Sequence, residues 1–241
     1  MTVHIGTSGW SYDHWDGVLY PPALPKSRRL EAYTAEFDTV ELNASFYRWP
    51  RPATFAQWRD RLPDGFAMAV KAPRGLTHAR RLREPEQWIE RIAAGWAALG
   101  DRRAALLVQL HPAQPRDDER LDHFLSALPA DLSVAMELRH PSWDDSAVYD
   151  MLRRYNAAYV VMSGPGLPCV VTATADLVYL RLHGPGDDAM YAGSYDADEL
   201  HRWADHIREW DAQGRDVLVY FNNDLGGHAV RNARDLRAMI G

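Results

Sequence analysis

Eight short runs of β-branched and other apolar residues recur along the chain, and between most of them stands a stretch with apolar residues at helical spacing. The runs fall near Val3–Thr7, Thr39–Asn43, Phe66–Lys71, Ala105–Gln109, Val134–Leu138, Ala158–Met162, Val178–His183 and Val217–Asn222. Runs that are apolar nearly throughout suit strands covered on both faces, and a helix between each pair suits parallel crossovers. Eight such alternations within 241 residues match a (β/α)8 barrel, which routinely reaches this length without splitting. The predicted fold is therefore α/β, a single (β/α)8 TIM barrel over residues 1–241.

The intervening stripes support that reading. Trp88, Ile92, Trp96 and Leu99 repeat at helical spacing, as do Leu121, Phe124, Leu125 and Leu128, and Leu200, Trp203, Ile207 and Trp210. Such stripes are helix faces packed on a barrel rather than ligand platforms. Asp117 with Asp118, and Asp196 with Asp198, stand where helix N-terminal turns favour acids. The unit after Met162 breaks the pattern. Ser163 to Pro168 and the threonine-rich stretch to Ala175 carry no stripe, so the sixth helix is expected to be short or missing.

Composition narrows the function classes. A net charge of −6 provides no overall basic field, which leaves a nucleic acid only a local patch to bind. The single cysteine, Cys169, excludes an intrachain disulfide, and its apolar setting in PCVVTAT predicts a buried small residue rather than a nucleophile. No apolar run approaches the ~18 residues of a membrane span, and the N-terminus turns polar too soon for a signal peptide. A cytoplasmic protein with no membrane contact and no obligate protein partner is expected. Of 27 basic residues two are lysines, Lys26 and Lys71, and the rest are arginine. A compact, titratable ammonium differs from a planar guanidinium in the chemistry it supports, so a lysine closing a strand is informative.

Most of the apolar runs end on polar groups: Glu41 and Asn43, Lys71, Gln109 and His111, Glu137, Arg139 and His140, Arg181 and His183, Asn222, Asn223 and Asp224. Side chains alternate across a strand, so Glu41 shares a face with Asn43, Glu137 with Arg139, Arg181 with His183, and Tyr220 with Asn222 and Asp224. If that face is the barrel interior, Glu41, Lys71, Gln109, Glu137, Arg181 and Asn222 form a polar layer under the mouth. The layer is either a site or an ion-pair network that plugs the barrel. GTSGWSYDHWDGVLYP after the first run supplies Trp10, Tyr12 and Trp15 as either a stacking wall or an aromatic plug. In YFNNDLGGHAVRNA, asparagines, Asp224 and two glycines precede a helix start, a place where barrels hold phosphate. Asp224 reads equally as a turn residue or a metal ligand. There is no HExxH and no cysteine pair; a metal would draw on Glu41, Glu137, His183, Asn222 and Asp224, an oxygen-rich set suited to Mg²⁺ or Mn²⁺.

These motifs together resemble the YecE-like TIM-barrel family, domain of unknown function seventy-two. The resemblance rests on GTSGWSYDHW with Tyr20-Pro21, TVELNASFYRWP with Thr54 and Trp58, VKAPRGLTHARRL, ELRHPSW, VTATADLVYLRLHG and YFNNDLGGHAVRNA, in that order along nearly the whole chain. It implies the barrel fold and carries no catalytic set with it. One departure stands out: relatives often place an aspartate near the end of the sixth strand, where this chain has Met162-Ser163.

Cations beside aromatics suit an anionic substrate with a planar part. The first expectation is a hydrolase acting on a phosphoester, either a nucleotide or nucleic acid. In it Arg139, Arg181 and Lys71 neutralise phosphate, Glu41 or Glu137 activates water and His183 protonates the leaving group. Trp10, Tyr12, Trp15, Asn43, His140, Asn222 and Asn223 complete the binding surface, and Asp224 joins the catalytic group. A carbohydrate-active enzyme using Glu41 and Glu137, and a non-catalytic protein that binds an anionic ligand, are the alternatives.

Overall fold

The computed structural model describes residues 2–185 and 190–241. Eight parallel strands pair in sequence order and close on themselves, β1 against β8. They are β1 (Val3–Ser8), β2 (Thr39–Leu42), β3 (Ala67–Lys71), β4 (Arg103–Gln109), β5 (Val134–Glu137), β6 (Ala158–Ser163), β7 (Leu177–Leu182) and β8 (Asp216–Phe221). The helices are α1 (Arg29–Thr34), α2 (Ala44–Tyr47), α3 (Pro52–Arg59), α4 (Glu86–Leu99), α5 (Asp118–Ser126), α6 (Ser146–Arg154), α7 (Ala197–Ala212) and α8 (His228–Ile240). No helix among the described residues is long and apolar enough to cross a membrane.

Two kinds of core follow from strand alternation. Inside the barrel, small residues (Ala69, Ala105, Ala135, Ala158) make room for Leu107, Val160, Tyr179, Leu218 and Tyr220. This is the filled interior that the architecture requires. Outward-facing residues pack beneath the helices, with Trp203, Ile207 and Trp210 of α7 in one cluster and Ile89, Ile92 and Trp96 of α4 in the other. Gly6 is fixed by proximity: a Cβ there would lie 2.3 Å from the Thr39 carbonyl oxygen, so only glycine lets β1 and β2 approach as they do.

Helix starts are capped as the acids suggested. The Asp117 side chain accepts from the Arg120 amide at 3.1 Å. Asp196 and Glu199 form a reciprocal capping box, each accepting the other's amide at 2.8 Å, an arrangement that satisfies two otherwise orphaned donors.

The helix expected to follow the sixth strand is missing. Between β6 and β7 the chain crosses the barrel wall as an irregular segment, tied down where Thr174 Oγ1 accepts from the Tyr159 amide and donates to the Ala157 carbonyl, both at 2.7 Å. Leu167 and Val170 pack inward from it. Cys169 is exposed, against the expectation of burial, because this segment lies on the surface with no helix to turn the residue inward. Met162 is buried in the outer core, and the Ser163 hydroxyl accepts from Tyr195 at 3.1 Å.

A candidate active site at the carboxyl ends of the strands

The inward-facing ends of β2, β5 and β7 meet across the barrel. The Arg181 guanidinium donates Nε and Nη2 to the two oxygens of Glu41, at 2.9 and 2.7 Å, and Nη1 to Glu137. Arg139 donates to the other oxygen of Glu137. Ser8 and Tyr179 complete the partners of Glu41. Glu41, Glu137 and Arg181 are at most 1% exposed. Two carboxylates and two guanidiniums thus form a closed neutral set, with the bidentate geometry that makes such pairs strong. Burial pushes the Glu137 carboxyl up, but Arg181 and Arg139 overcome it and hold the group well below the usual carboxylate range. Burial likewise opposes the charge on Arg181, and Glu137 and Glu41 more than restore it.

This arrangement revises four expected roles. Glu41 and Glu137 do not face a substrate as an acid/base pair, because one guanidinium holds them both behind the cavity. Arg181 is not a free phosphate ligand, for the same reason. His183, at 0% exposure, is not placed to protonate a leaving group. Its Nε2 lies 3.2 Å from Arg139 and 3.3 Å from Arg181. Guanidiniums only donate, so Nε2 accepts and the ring proton sits on Nδ1, toward the Arg181 carbonyl. Burial, with Arg181 next, pushes the imidazole down to about 3. The ring is neutral and has no proton directed outward.

Above this layer lies a cavity of about 470 Å³, lined by Tyr12, Asn43, Phe46, Tyr47, Lys71, Met190, Tyr191, Asn222, Asp224 and Leu225. Lys71, the last residue of β3, is the one cation among those lining residues. Its Nζ stands 4.6 Å over the centre of the Phe46 ring. Among the described residues no carboxylate comes within 4.0 Å of it. Burial, then Arg181, pushes its amine down to about 8, with Glu137 and Glu41 only partly opposing them. Asn43 donates to Ser8, and its buried Oδ1 has no partner among the described residues. Tyr12 donates to the Ser8 carbonyl at 2.7 Å and presents its ring to the cavity. Asp224, beside His14 at 3.4 Å, has its carboxyl raised above the ordinary value by burial, against the opposing pull of its own amide and His14. His78 packs edge-on to Phe46 at 5.0 Å, and burial and His111 push it down to about 4.

Of the expected binding residues, Tyr12, Asn43, Lys71 and Asn222 line the cavity; Asp224, expected to be catalytic, joins them. Trp10 and Trp15 do not. Trp10 packs edge-on to Trp58 at 6.1 Å. Trp15 is 0% exposed, wedged between Tyr12 and Tyr20, with its indole N–H on the Asp224 carbonyl at 3.3 Å. The first loop folds back on itself, and these rings close its underside. Asn223 points the opposite way from Asn222, toward α8, where it donates to Asn232 and the Gly193 carbonyl at 2.9 Å. His140 caps the short turn Pro141–Trp143 through the Ser142 amide, and Arg139 stays beneath the cavity on Glu137. Phe46, Tyr47, Tyr191 and His14 were not singled out from sequence, although Phe46 and Tyr47 follow a strand end, where barrel sites collect their residues.

The oxygen-rich metal set does not converge. Glu41 and Glu137 spend their oxygens on Arg181 and Arg139, and among the described residues no group of three or more His, Cys, Asp or Glu side chains is placed to hold an ion.

Comparisons with known proteins agree with this frame. The family described as Protein of unknown function DUF72 matches residues 4–241. UPF0759 protein YunF of Bacillus subtilis is 26% identical across 99% of this chain and 94% of its own. UPF0759 protein YecE of Escherichia coli is 29% identical across 58% of this chain, a match that spans half of that protein's length. A DUF72 family protein from Thermotoga maritima superposes with a TM-score of 0.90 at 30% identity, covering 100% of this chain and 99% of the other. One from Enterococcus faecalis, at 21% identity and a TM-score of 0.80, shares the fold across 99% of this chain and 95% of its own. With its barrel closed in the same order and its sequence matched nearly end to end, the chain belongs to the DUF72 family.

Proposed function

We propose that the cavity binds an anionic phosphoester with a planar part, of the nucleotide class, and hydrolyses it. The observation that carries this reading is the Lys71 ammonium, which no carboxylate pairs within 4.0 Å among the described residues. The guanidiniums and carboxylates beneath it balance one another, so an ammonium at the cavity floor is completed by a ligand that brings its own negative charge. Lys71 holds the phosphate, with the Asn222 amide at its side. The Tyr12, Phe46 and Tyr47 rings supply flat faces for the planar part. Asp224 takes a proton from the attacking water as the ester P–O bond breaks, and returns it to the departing oxygen. A carboxyl that burial raises above its ordinary value suits that exchange.

Phosphate or a mononucleotide at low salt should raise thermal stability. At a hundredfold excess over Kd the gain is about 2.7 kcal/mol, or roughly 5–10 °C for a domain of this size. Salt should weaken it. Asp224→Asn should retain that rise while abolishing release of inorganic phosphate from phosphoester substrates. Stabilisation by an oligosaccharide with none by phosphate compounds would overturn the substrate class. Tight binding with no turnover across a phosphoester panel would overturn hydrolysis and leave a binding protein.

A further inference from the structure

We propose that Lys71 is also a carbonyl-reactive amine, whose Nζ forms an imine with a small planar aldehyde or ketone admitted to the cavity. This goes beyond phosphoester hydrolysis and does not depend on it.

Three observations point the same way. The Nζ of Lys71 opens on a cavity large enough for a small aromatic molecule and lies on the face of Phe46. No ion pair holds it among the described residues, since the nearby carboxylates, Glu41 and Glu137, are taken by Arg181 and Arg139. The groups bearing on it are Arg181 from β7, Glu137 and Arg139 from the end of β5, Glu41 from β2 and His78 from the connection after β3. Among the described residues their balance leaves the ammonium with no ion-pair partner. That charge is relieved either by an anion or by loss of the proton, and the free amine is a nucleophile. With the amine down at about 8, on the order of a tenth of the chains carry it uncharged at pH 7. An ordinary lysine is uncharged in only a few of ten thousand.

The cavity also holds what the rest of the reaction needs. The nitrogen lone pair attacks the carbonyl carbon, and one N–H proton moves to the carbonyl oxygen to give a carbinolamine. Asp224, on the same cavity wall with its carboxyl held up by burial, passes a proton to the departing hydroxyl. Water leaves and a protonated imine remains. The product carries one positive charge, as the ammonium did, so it keeps the same place over Phe46.

The chain contains two lysines, which makes the test direct. Wild-type protein is incubated with pyridoxal, and separately with pyridoxal 5′-phosphate, then reduced with borohydride, and labelled peptides are quantified by mass spectrometry. Lys26, 69% exposed and paired with Asp13 at 3.0 Å, is the internal control. Labelling at Lys71 should exceed that at Lys26 at least tenfold at pH 7, despite the greater exposure of Lys26, and should climb as pH passes about 8. Lys71→Arg should lose the label while Lys26 labelling stays unchanged. Labelling at Lys71 no greater than at Lys26 overturns the proposal. Selective labelling by pyridoxal in a protein that neither binds nor hydrolyses phosphoesters sustains it while removing the hydrolytic reading. Phosphate-dependent stabilisation without selective labelling overturns it and leaves that reading standing.

Discussion

Replacing Lys71 with methionine should stabilise the protein at neutral pH, an outcome seldom expected from deleting a charged residue. Methionine nearly matches the volume of lysine, so packing changes little. Bringing the amine from its ordinary 10.5 down to about 8 corresponds, at about 1.4 kcal/mol per tenfold change in proton affinity, to roughly 3 kcal/mol set against the charged form. Against this stands the loss of its contact with the Phe46 ring, worth about 1 kcal/mol. The net gain is about 2 kcal/mol, or roughly 4–8 °C in Tm. Its pH dependence is the sharper test. Below pH 8 lysine is protonated in both folded and unfolded chains, and the full penalty applies. Between about 8 and the unfolded value near 10.4 the folded chain has shed its proton and the penalty fades. Above that it is gone. Urea titrations at pH 7 and pH 10.5 should therefore show a gain at the first and none at the second. A loss of stability at pH 7, or an equal gain at both, would refute the view that this ammonium is unsupported.

The neutral set beneath it should behave in the opposite way. Arg181→Met strands Glu41 without a cation and should cost about 3–5 kcal/mol, part of which the added change Glu41→Gln recovers; a cost under 1 kcal/mol in the single variant would show that the pairs carry little. Glu137→Gln should also destabilise at pH 7. Because Arg181 and Arg139 hold the folded carboxyl low, its contribution is present above the unfolded value near 4.3 and disappears as pH falls below it, so the deficit in urea midpoint should shrink from pH 7 to pH 3. Gly6→Ala drives a methyl into the Thr39 carbonyl and should cost roughly 1–3 kcal/mol by circular-dichroism melts, with the β1–β2 pairing that seats Ser8 on Glu41 disturbed.

Much of the barrel is written in local pattern. The run predicted at Val134–Leu138 is β5 at Val134–Glu137, and the absent stripe after Met162 is the absent helix. Alternation along single strands also placed Glu41, Glu137 and Arg181 in one interior layer, because facing depends only on parity. Which of them pair does not. Arg181 meets partners 140 and 44 residues away, and nothing local says that one guanidinium takes two carboxylates. Trp10 and Trp15 failed as pocket residues because an aromatic ring gives the same signal whether it stacks on a ligand or seals a loop. Asn222 and Asn223 differ only in parity, and that one step separates the cavity from the α8 side.

The span of the Arg181 contacts bears on how this barrel could be divided. Glu41 belongs to the first four strands, while Glu137, Arg139 just past the end of β5, and Arg181 belong to the second half of the chain. A chain severed between β4 and β5 would leave Glu41 in the first fragment without the guanidinium that holds it, and the second fragment with a cation in excess. Neither half can complete the Arg181 pairs, so neither should persist alone, whereas mixing the two restores them. The ring is a unit of assembly as well as of shape: its central charges cannot all be matched until strands from both halves are in place.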